Sequence, residues 1–584
     1  MHRCLKIDEI LREIFGFTKA RRSLCSLAQT CRTFNGPATD LIWETLTDLT
    51  PVLQLLSSVK LEEHRMSPET LSHCNSADWS ALIQLSSRVR RLHFQMDVLF
   101  TAEDLSPSVT AQRLCHVSHA LGPEFLFQNL RELSLEMNAT VPFDGADATF
   151  PTDYKNSIIH FLRVLMRLDL SALRMNFNAA RFVHLNLPTF PTCPRMHYLD
   201  MEGNSWPEEH EFSSELSKMV LRLPSLEVAR CNRIPWEVLN CFAQLDALRQ
   251  LWVDLPGQIN PSYRPNTGRN AFPQLTFLDM TTGTLQSSVE FLRLTALDDL
   301  TDLNMSCIYV SFNEPTYDAS EDIQGLLALI PSQCPKLESI RVNSGVCPLA
   351  PLPWVLDMSV LSPYLALRNL RILDIETHYS PALTDDDLAQ MARAWPCLEQ
   401  LHLIKESGWK LPTGLTFQGV VSLVEYCPRL ESFSLVFDAT ADVPSCIPRR
   451  PDGMIIQNPG VRYMDVCNSP ITSPVKVAAF LSKLLPGLKL IGVDPYIKYR
   501  VLWTEVAAQH CGSPQVEMYG QADFRSGCYG LQKLIKEVGE EWWWTLEPQS
   551  NSGSDELGDD GGFRGVRRSG KNSILLPFRS LSAL

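Results

Sequence analysis

One short phrase, apolar-x-x-apolar-x-apolar, recurs along this chain and constrains its fold more than any other feature. It is plainest as Leu398–Leu403 after Trp395-Pro396, as Leu430–Leu435 after Cys427-Pro428 and as Leu337–Val342 after Cys334-Pro335. Its first apolar position falls at Val89, Leu130, Leu165, Met196, Leu226, Leu248, Leu275, Leu300, Leu337, Leu370, Leu398, Leu430, Val461 and Leu488, with gaps of 22 to 41 residues. At that spacing one strand and one helix make a unit that stacks on its neighbours. The fourth and sixth positions share strand alternation, so both side chains turn to one face. Between phrases stand helix-start signals. Ser473-Pro474 precedes VKVAAFLSKLL, Thr384 precedes DDDLAQMARAW, and Thr416 and Ser320 precede FQGVVSLVEYC and EDIQGLLALI.

A stacked array grows along one axis, so a chain of 584 residues need not divide into several globular cores. The net charge of −14 argues against nucleic acid or an acidic membrane as ligand, since both need a basic footprint. The 17 cysteines stand singly, many where a small apolar residue would serve, as at Cys231, Cys307 and Cys427. They read as reduced core thiols of a cytoplasmic or nuclear protein. The start MHRCLKIDEI is charged, and no apolar stretch reaches the roughly 18 residues a membrane span needs. His116 and His119 have a metal-like spacing but no Glu or Cys partner. No catalytic constellation is supported by spacing, so neither an enzyme nor a cofactor is expected.

Residues 1–48 lack the phrase and instead show helical apolar spacing: Ile7, Ile10, Ile14, Phe17, then Leu24, Leu27, Ala28, Cys31, then Ala38, Leu41, Ile42, Leu46. Breaks near Gly16–Thr18 and Asn35-Gly36-Pro37 divide them into three short helices. A core this small is marginal alone, and a partner covering one face would repair the deficit.

The ordered string Glu9, Ile10, Leu11, Ile14, Phe15, then Leu24, Leu27, Ala28, Cys31, Arg32, Phe34, then Leu41 and Trp43 resembles an F-box. Its phrasing is similar to that of the F-box proteins of mushroom-forming fungi, with Ile7 where Pro usually opens the first helix. The resemblance implies docking on a Skp-type adaptor and, through it, a cullin. By analogy Ile7, Ile10, Ile14, Phe15, Leu24, Leu27, Cys31 and Trp43 form that interface. The other reading of these residues is a three-helix cap closed over the first repeat.

The remainder resembles a leucine-rich-repeat array. The implied fold class is α/β, a three-helix F-box followed by an irregular leucine-rich-repeat-like solenoid, a horseshoe with parallel strands on its concave side. The Asn or Cys that ends a regular repeat is mostly missing, only Asn138 and Asn204 standing there. The expected divisions are 1–48 F-box, 49–88 helical linker or cap, 89–495 solenoid, 496–548 C-terminal cap and 549–584 disordered tail. Glu540–Trp544 would shield the last repeat.

The fifth phrase position projects from the concave face. Five of its fourteen residues are Asp: Asp169, Asp200, Asp279, Asp374 and Asp465. With Trp252 and His402 these are the candidate contacts to a protein client. They form either an acidic surface for a basic client with Trp252 as anchor, or a solvated face whose Asp residues bond to neighbouring strands. The resemblance thus implies the substrate-recognition subunit of a Skp-cullin-F-box ubiquitin ligase. The rival is a scaffold with no part in ubiquitin transfer.

Overall fold

A computed structural model of the protein describes residues 7–18, 20–56, 74–100, 105–106, 109–140, 164–166, 169–177, 193–203, 216–232, 234–255, 271–295, 297–307, 320–343, 355–376, 380–403, 413–440, 443–444, 448–493 and 499–511. Asn204, the side chain of Asn138, Glu540–Trp544 and the tail at 549–584 lie outside that set. Of the expected C-terminal cap only its first part falls inside it, where the helix Arg500–Cys511 buries Trp503.

Three helices open the chain: α1 (Asp8–Gly16), α2 (Arg21–Thr30) and α3 (Arg32–Glu44). The break after Gly16 falls where the sequence places it. The second break does not: Asn35-Gly36-Pro37 lies inside α3, and the chain turns at Cys31 instead. Cys31 is extended, at φ −160°, and its carbonyl accepts from the amides of Phe34 and Asn35, starting the new helix. Pro37, shortly after that start, forgoes one helical bond and is buried. Leu11, Phe15, Leu24 and Ala38 form the core of this module, separate from the core of the rest.

Sixteen strands among the described residues form one sheet, in chain order from Thr45–Leu46 to Leu490–Gly492. Neighbours in this order pair in parallel, and the short Leu105–Ser106 pairs antiparallel with the end of Arg91–Phe100. Consecutive parallel strands need crossovers; several carry a helix, as Asp385–Ala394 does between Ile372–Glu376 and Gln400–Leu403, whereas the described residues between Ser432–Ser434 and Tyr463–Asp465 hold none. The fold is α/β and solenoid-like, led by an F-box-like module. All fourteen first-position residues are buried, as are fourth- and sixth-position residues such as Leu401 and Leu403, which line one continuous core.

The Pro that often introduces the phrase has a local cause. The amide of the first phrase residue donates three residues back, closing a turn: Met196 to Cys193, Leu226 to Leu223, Leu398 to Trp395, Leu430 to Cys427 and Leu488 to Leu485, each 3.1 Å. Pro194, Pro224, Pro396, Pro428 and Pro486 fill the second position of these turns, where the ring presets φ.

The third copy of the phrase starts at Leu170, not Leu165. Its strand is Ala172–Phe177, which pairs Leu133 with Leu173, Ser134 with Arg174 and Leu135 with Met175. Both Leu165 and Leu170 are buried, so the apolar pattern alone fits either register, and pairing with the preceding strand decides. Asp169 is therefore off the strand face, exposed in the preceding turn and paired with Arg195 at 3.1 Å; Arg174 takes its place.

Helix starts follow the sequence in part. Thr384 forms a capping box with Asp387, and the Thr416 side chain accepts from the Gln418 amide. Ser473 makes no capping bond and Pro474 opens that helix; Ser320 is itself the first helical residue. One carboxylate ties adjacent repeats through three bonds: Asp385 accepts from the amides of Thr416 (2.8 Å) and Gly419 (2.9 Å) and from the Thr416 hydroxyl (2.6 Å). Gly at 419 lets this carboxylate approach, because a Cβ there would lie 2.5 Å from Asp385 Oδ1 and displace it. Among the described residues no helix is long and apolar enough to cross a membrane.

Candidate functional site: a two-faced helix and a strand ladder

Helix α1 is apolar on two sides. Leu11 and Phe15 turn into the module core, where the Phe15 ring meets Phe34 edge-on at 5.2 Å. Ile7, Ile10, Ile14 and Phe17 recur at intervals of three and four residues, the spacing of one helix face. On that face Ile7 and Ile14 are each 45% exposed, Phe17 is 85% exposed, and Ile10 is half-buried.

The eight residues expected to meet an adaptor therefore divide. Ile7, Ile10 and Ile14 share the outward face, and Leu27 and Cys31 are half-buried at the module's side. Phe15 and Leu24 are core residues with under a tenth of their surface exposed, so their main contacts are within the module. Trp43 packs against the repeat core and belongs to the joint between module and array. Phe17, absent from that set, is the most exposed large apolar residue among the described ones. The signal for it was its i+3 relation to Ile14.

Asp40 on α3 ties this joint. One carboxylate oxygen accepts from Arg12 of α1 at 2.6 Å and the other from Arg88, beside the first repeat strand. Α chain-continuous strand follows directly, since α3 ends at Glu44 and Thr45–Leu46 pairs with Arg91–Leu92.

The second face is the side of the sheet opposite the apolar fourth and sixth positions. The fifth positions form one unbroken ladder, each paired with the next: His93, Ser134, Arg174, Asp200, Arg230, Trp252, Asp279, Asn304, Arg341, Asp374, His402, Ser434, Asp465, Gly492. Adjacent members stand about 4.8 Å apart. With Arg174 in the row, four Asp alternate with three Arg, and the excess of Asp largely disappears.

Each carboxylate of this row has a partner, although Asp200 Oδ1 is buried without a hydrogen bond. Asp200 is buried and one of its oxygens accepts from Arg174 (3.1 Å) and from the Tyr198 hydroxyl (2.9 Å). Asp279 accepts from Asn304 at 2.8 Å; burial pushes its carboxyl pKa up, against the lowering effect of that bond and of Arg230 and Arg341. Asp465 is buried on the Tyr463 hydroxyl and the Cys467 amide, and Asp374 also has a partner. His402, only 6% exposed, contacts Ser432 at 3.1 Å. At mid-row the Arg230 guanidinium lies 4.2 Å over Trp252, whose ring stands 4.5 Å from Phe277.

Seven of the described cysteines are buried thiols. Burial pushes the thiols up, to about 11 at Cys193 and Cys307 and about 12 at Cys334 and Cys427, so they stay protonated and act as small apolar side chains.

Residues 8–48 match the F-box-like domain family. None of the curated proteins matches the chain. Among solved structures, the yeast Rad7–Elc1 complex aligns at 15% identity over 59% of this chain and 84% of that one, with a TM-score of 0.30. The plant peptide hormone receptor RGFR1 bound to RGF2 aligns at 12% identity over 71% of this chain and 60% of that one, with a TM-score of 0.28.

Proposed function

We propose that this protein is the substrate-recognition subunit of a Skp-cullin-F-box ubiquitin ligase in the cytoplasm or nucleus. The outward face of α1 docks on a Skp-type adaptor, and the open strand face holds a protein client. The observation that carries the reading is the second apolar side of α1, presented by a module with its own core and an F-box-like sequence. An isolated three-helix module gains nothing from keeping Ile14 and Phe17 in water unless a partner covers them. In this role the chain makes and breaks no bond; it holds a client near the conjugating enzyme, and its contribution is proximity and orientation. The phrasing of the motif further suggests kinship with the F-box proteins of mushroom-forming fungi.

Co-expression with a Skp-type adaptor tests the reading. The wild-type chain should co-purify with adaptor and cullin, and the exposed-face substitutions Ile14→Asp and Phe17→Asp should abolish capture while leaving the fold intact. Equal capture by these folded variants would remove the ligase assignment.

A further inference from the structure

The side chains of the strand ladder differ in how much hydrogen-bonding capacity the chain itself takes up. Each Asp of the row has a partner, whereas the cations do not share this evenly. Arg174 donates to Asp200 and to the Tyr198 hydroxyl. Arg341 donates only to the neutral Ser339 hydroxyl, at 3.0 Å. Arg230 has no ion pair or hydrogen-bond acceptor among the described residues: its Nε is buried without a partner, its guanidinium lies over the Trp252 ring, and Asp279 is near enough to feel its charge.

A guanidinium held with its carbon 4.2 Å from a ring centroid is positioned by that contact, and its edge donors form the fork that fits a carboxylate or phosphate. Trp252 and Phe277 beside it are half-buried and stacked on each other, which supplies an apolar shelf at the same place. Of the neighbouring carboxylates, Asp279 accepts from Asn304 and one oxygen of Asp200 accepts from Arg174 and Tyr198, while Asp200 Oδ1 makes no hydrogen bond among the described residues and Arg230 none to it.

We propose that Arg230 on Trp252 is the anchor for an anionic side chain of the client, seated next to an apolar side chain that lies on Trp252 and Phe277. The recognised segment is thus acidic-apolar, the reverse of the basic client that a count of Asp in the row suggests. Arg341 stands four strands further on, about 19 Å along the sheet. It offers a second anion position roughly six extended residues away. The inference deepens the receptor reading and rests on it for the word client, but the anion site stands on the sheet alone.

Selection of a random displayed dodecapeptide library on the full chain bound to its adaptor tests it. The expected winners carry Asp or Glu beside Leu, Phe or Trp, and resynthesised peptides should bind Arg230→Ala at least tenfold more weakly. Arg230→Lys should lose as much, because it keeps the charge but not the fork, and Trp252→Leu should lose by removing the stack. Replacing the peptide's acidic residue by phosphoserine separates the two anion sources: equal or tighter binding admits phosphate, weaker binding restricts the site to carboxylates. Basic or uncharged winners, an empty selection, or undiminished binding to a folded Arg230→Ala variant would each overturn the proposal. Adaptor capture is unaffected by these substitutions, so failure here is separable from failure of the ligase reading.

Discussion

Substituting Phe17 by Asp isolates the outward face of α1 from the module's own stability. Phe17 is 85% exposed, and since a Phe offers about 150–250 Å² for burial, full coverage by a partner takes on the order of 130–210 Å² out of water. At about 25 cal/mol per Å² this is on the order of 3–5 kcal/mol. Ordering the side chain and imperfect coverage reduce it to about 2–4 kcal/mol, a weakening of roughly 30- to 1,000-fold in Kd for Phe17→Ala. Phe17→Asp should lie at the upper end, because a carboxylate would be desolvated without a partner. Thermal melting should stay at the wild-type value, since Phe17 has no place in either core. Phe15→Ala is the counter-case: its ring is 4% exposed against Phe34, and its loss should cost about 3–5 kcal/mol of folding free energy. Calorimetric titration of a Skp-type adaptor with both variants separates surface from core. If folded Phe17→Asp binds within threefold of wild type, the argument from the two-sided helix fails.

Asp385→Ala removes one carboxylate from two amides and a hydroxyl of the next repeat, so it should cost about 2–4 kcal/mol and speed hydrogen exchange at Thr416–Gly419; urea melts and exchange mass spectrometry check this. Asp279 has its carboxyl pKa raised, chiefly by burial. The folded state therefore holds its proton to higher pH than the unfolded one, and this group's contribution to stability falls as pH rises through that window. Asp279→Asn should accordingly raise the urea midpoint at pH 7, with the gain shrinking towards pH 4. Cys334 and Cys427, buried and shifted to about 12, should resist iodoacetamide until the chain unfolds, while the exposed Cys25 labels at once. Asp40→Ala should change melting by about 1 kcal/mol or less, because its two ion pairs are partly exposed, yet increase exchange at Thr45–Leu46.

The phrase was sufficient for the sheet because its three apolar positions answer to three separate demands: a turn-closing amide, and two side chains on the packed face of a parallel strand. Leu398, Leu401 and Leu403 meet all of them. It failed at the third copy because Leu165 and Leu170 both satisfy burial, and only the pairing of Leu133 with Leu173 tells them apart. That one slip exchanged Asp169 for Arg174 and altered the charge of the whole row. In the first module the spacing of apolar residues located the helices but not their roles. Phe15 and Leu24 read the same as Ile14 and Phe17 in a one-dimensional pattern, and only the packing of α2 and α3 shows which side of α1 is closed. The break at Cys31 was missed because Asn35-Gly36-Pro37 is the stronger turn signal, yet α3 runs through Pro37 in its second turn despite the lost bond and the crowding of the carbonyl four residues back.

The joint between module and array bears on how a receptor of this kind could work. No linker intervenes: α3 ends at Glu44, and the next residue opens a strand paired with Arg91. Trp43 packs into the repeat core, and Asp40 holds Arg12 of the first helix and Arg88 of the first repeat at once. A flexible tether of a dozen residues would let its ends wander over about 20 Å, diluting any advantage of holding a client near a transfer site. A helix running straight into a sheet strand, pinned by a half-buried aromatic and a shared carboxylate, removes that freedom. Effective concentration is highest when the spacing between two bound partners is set by structure and not by chain statistics. The joint is therefore part of the proposed activity, because on that reading the chain contributes proximity and orientation.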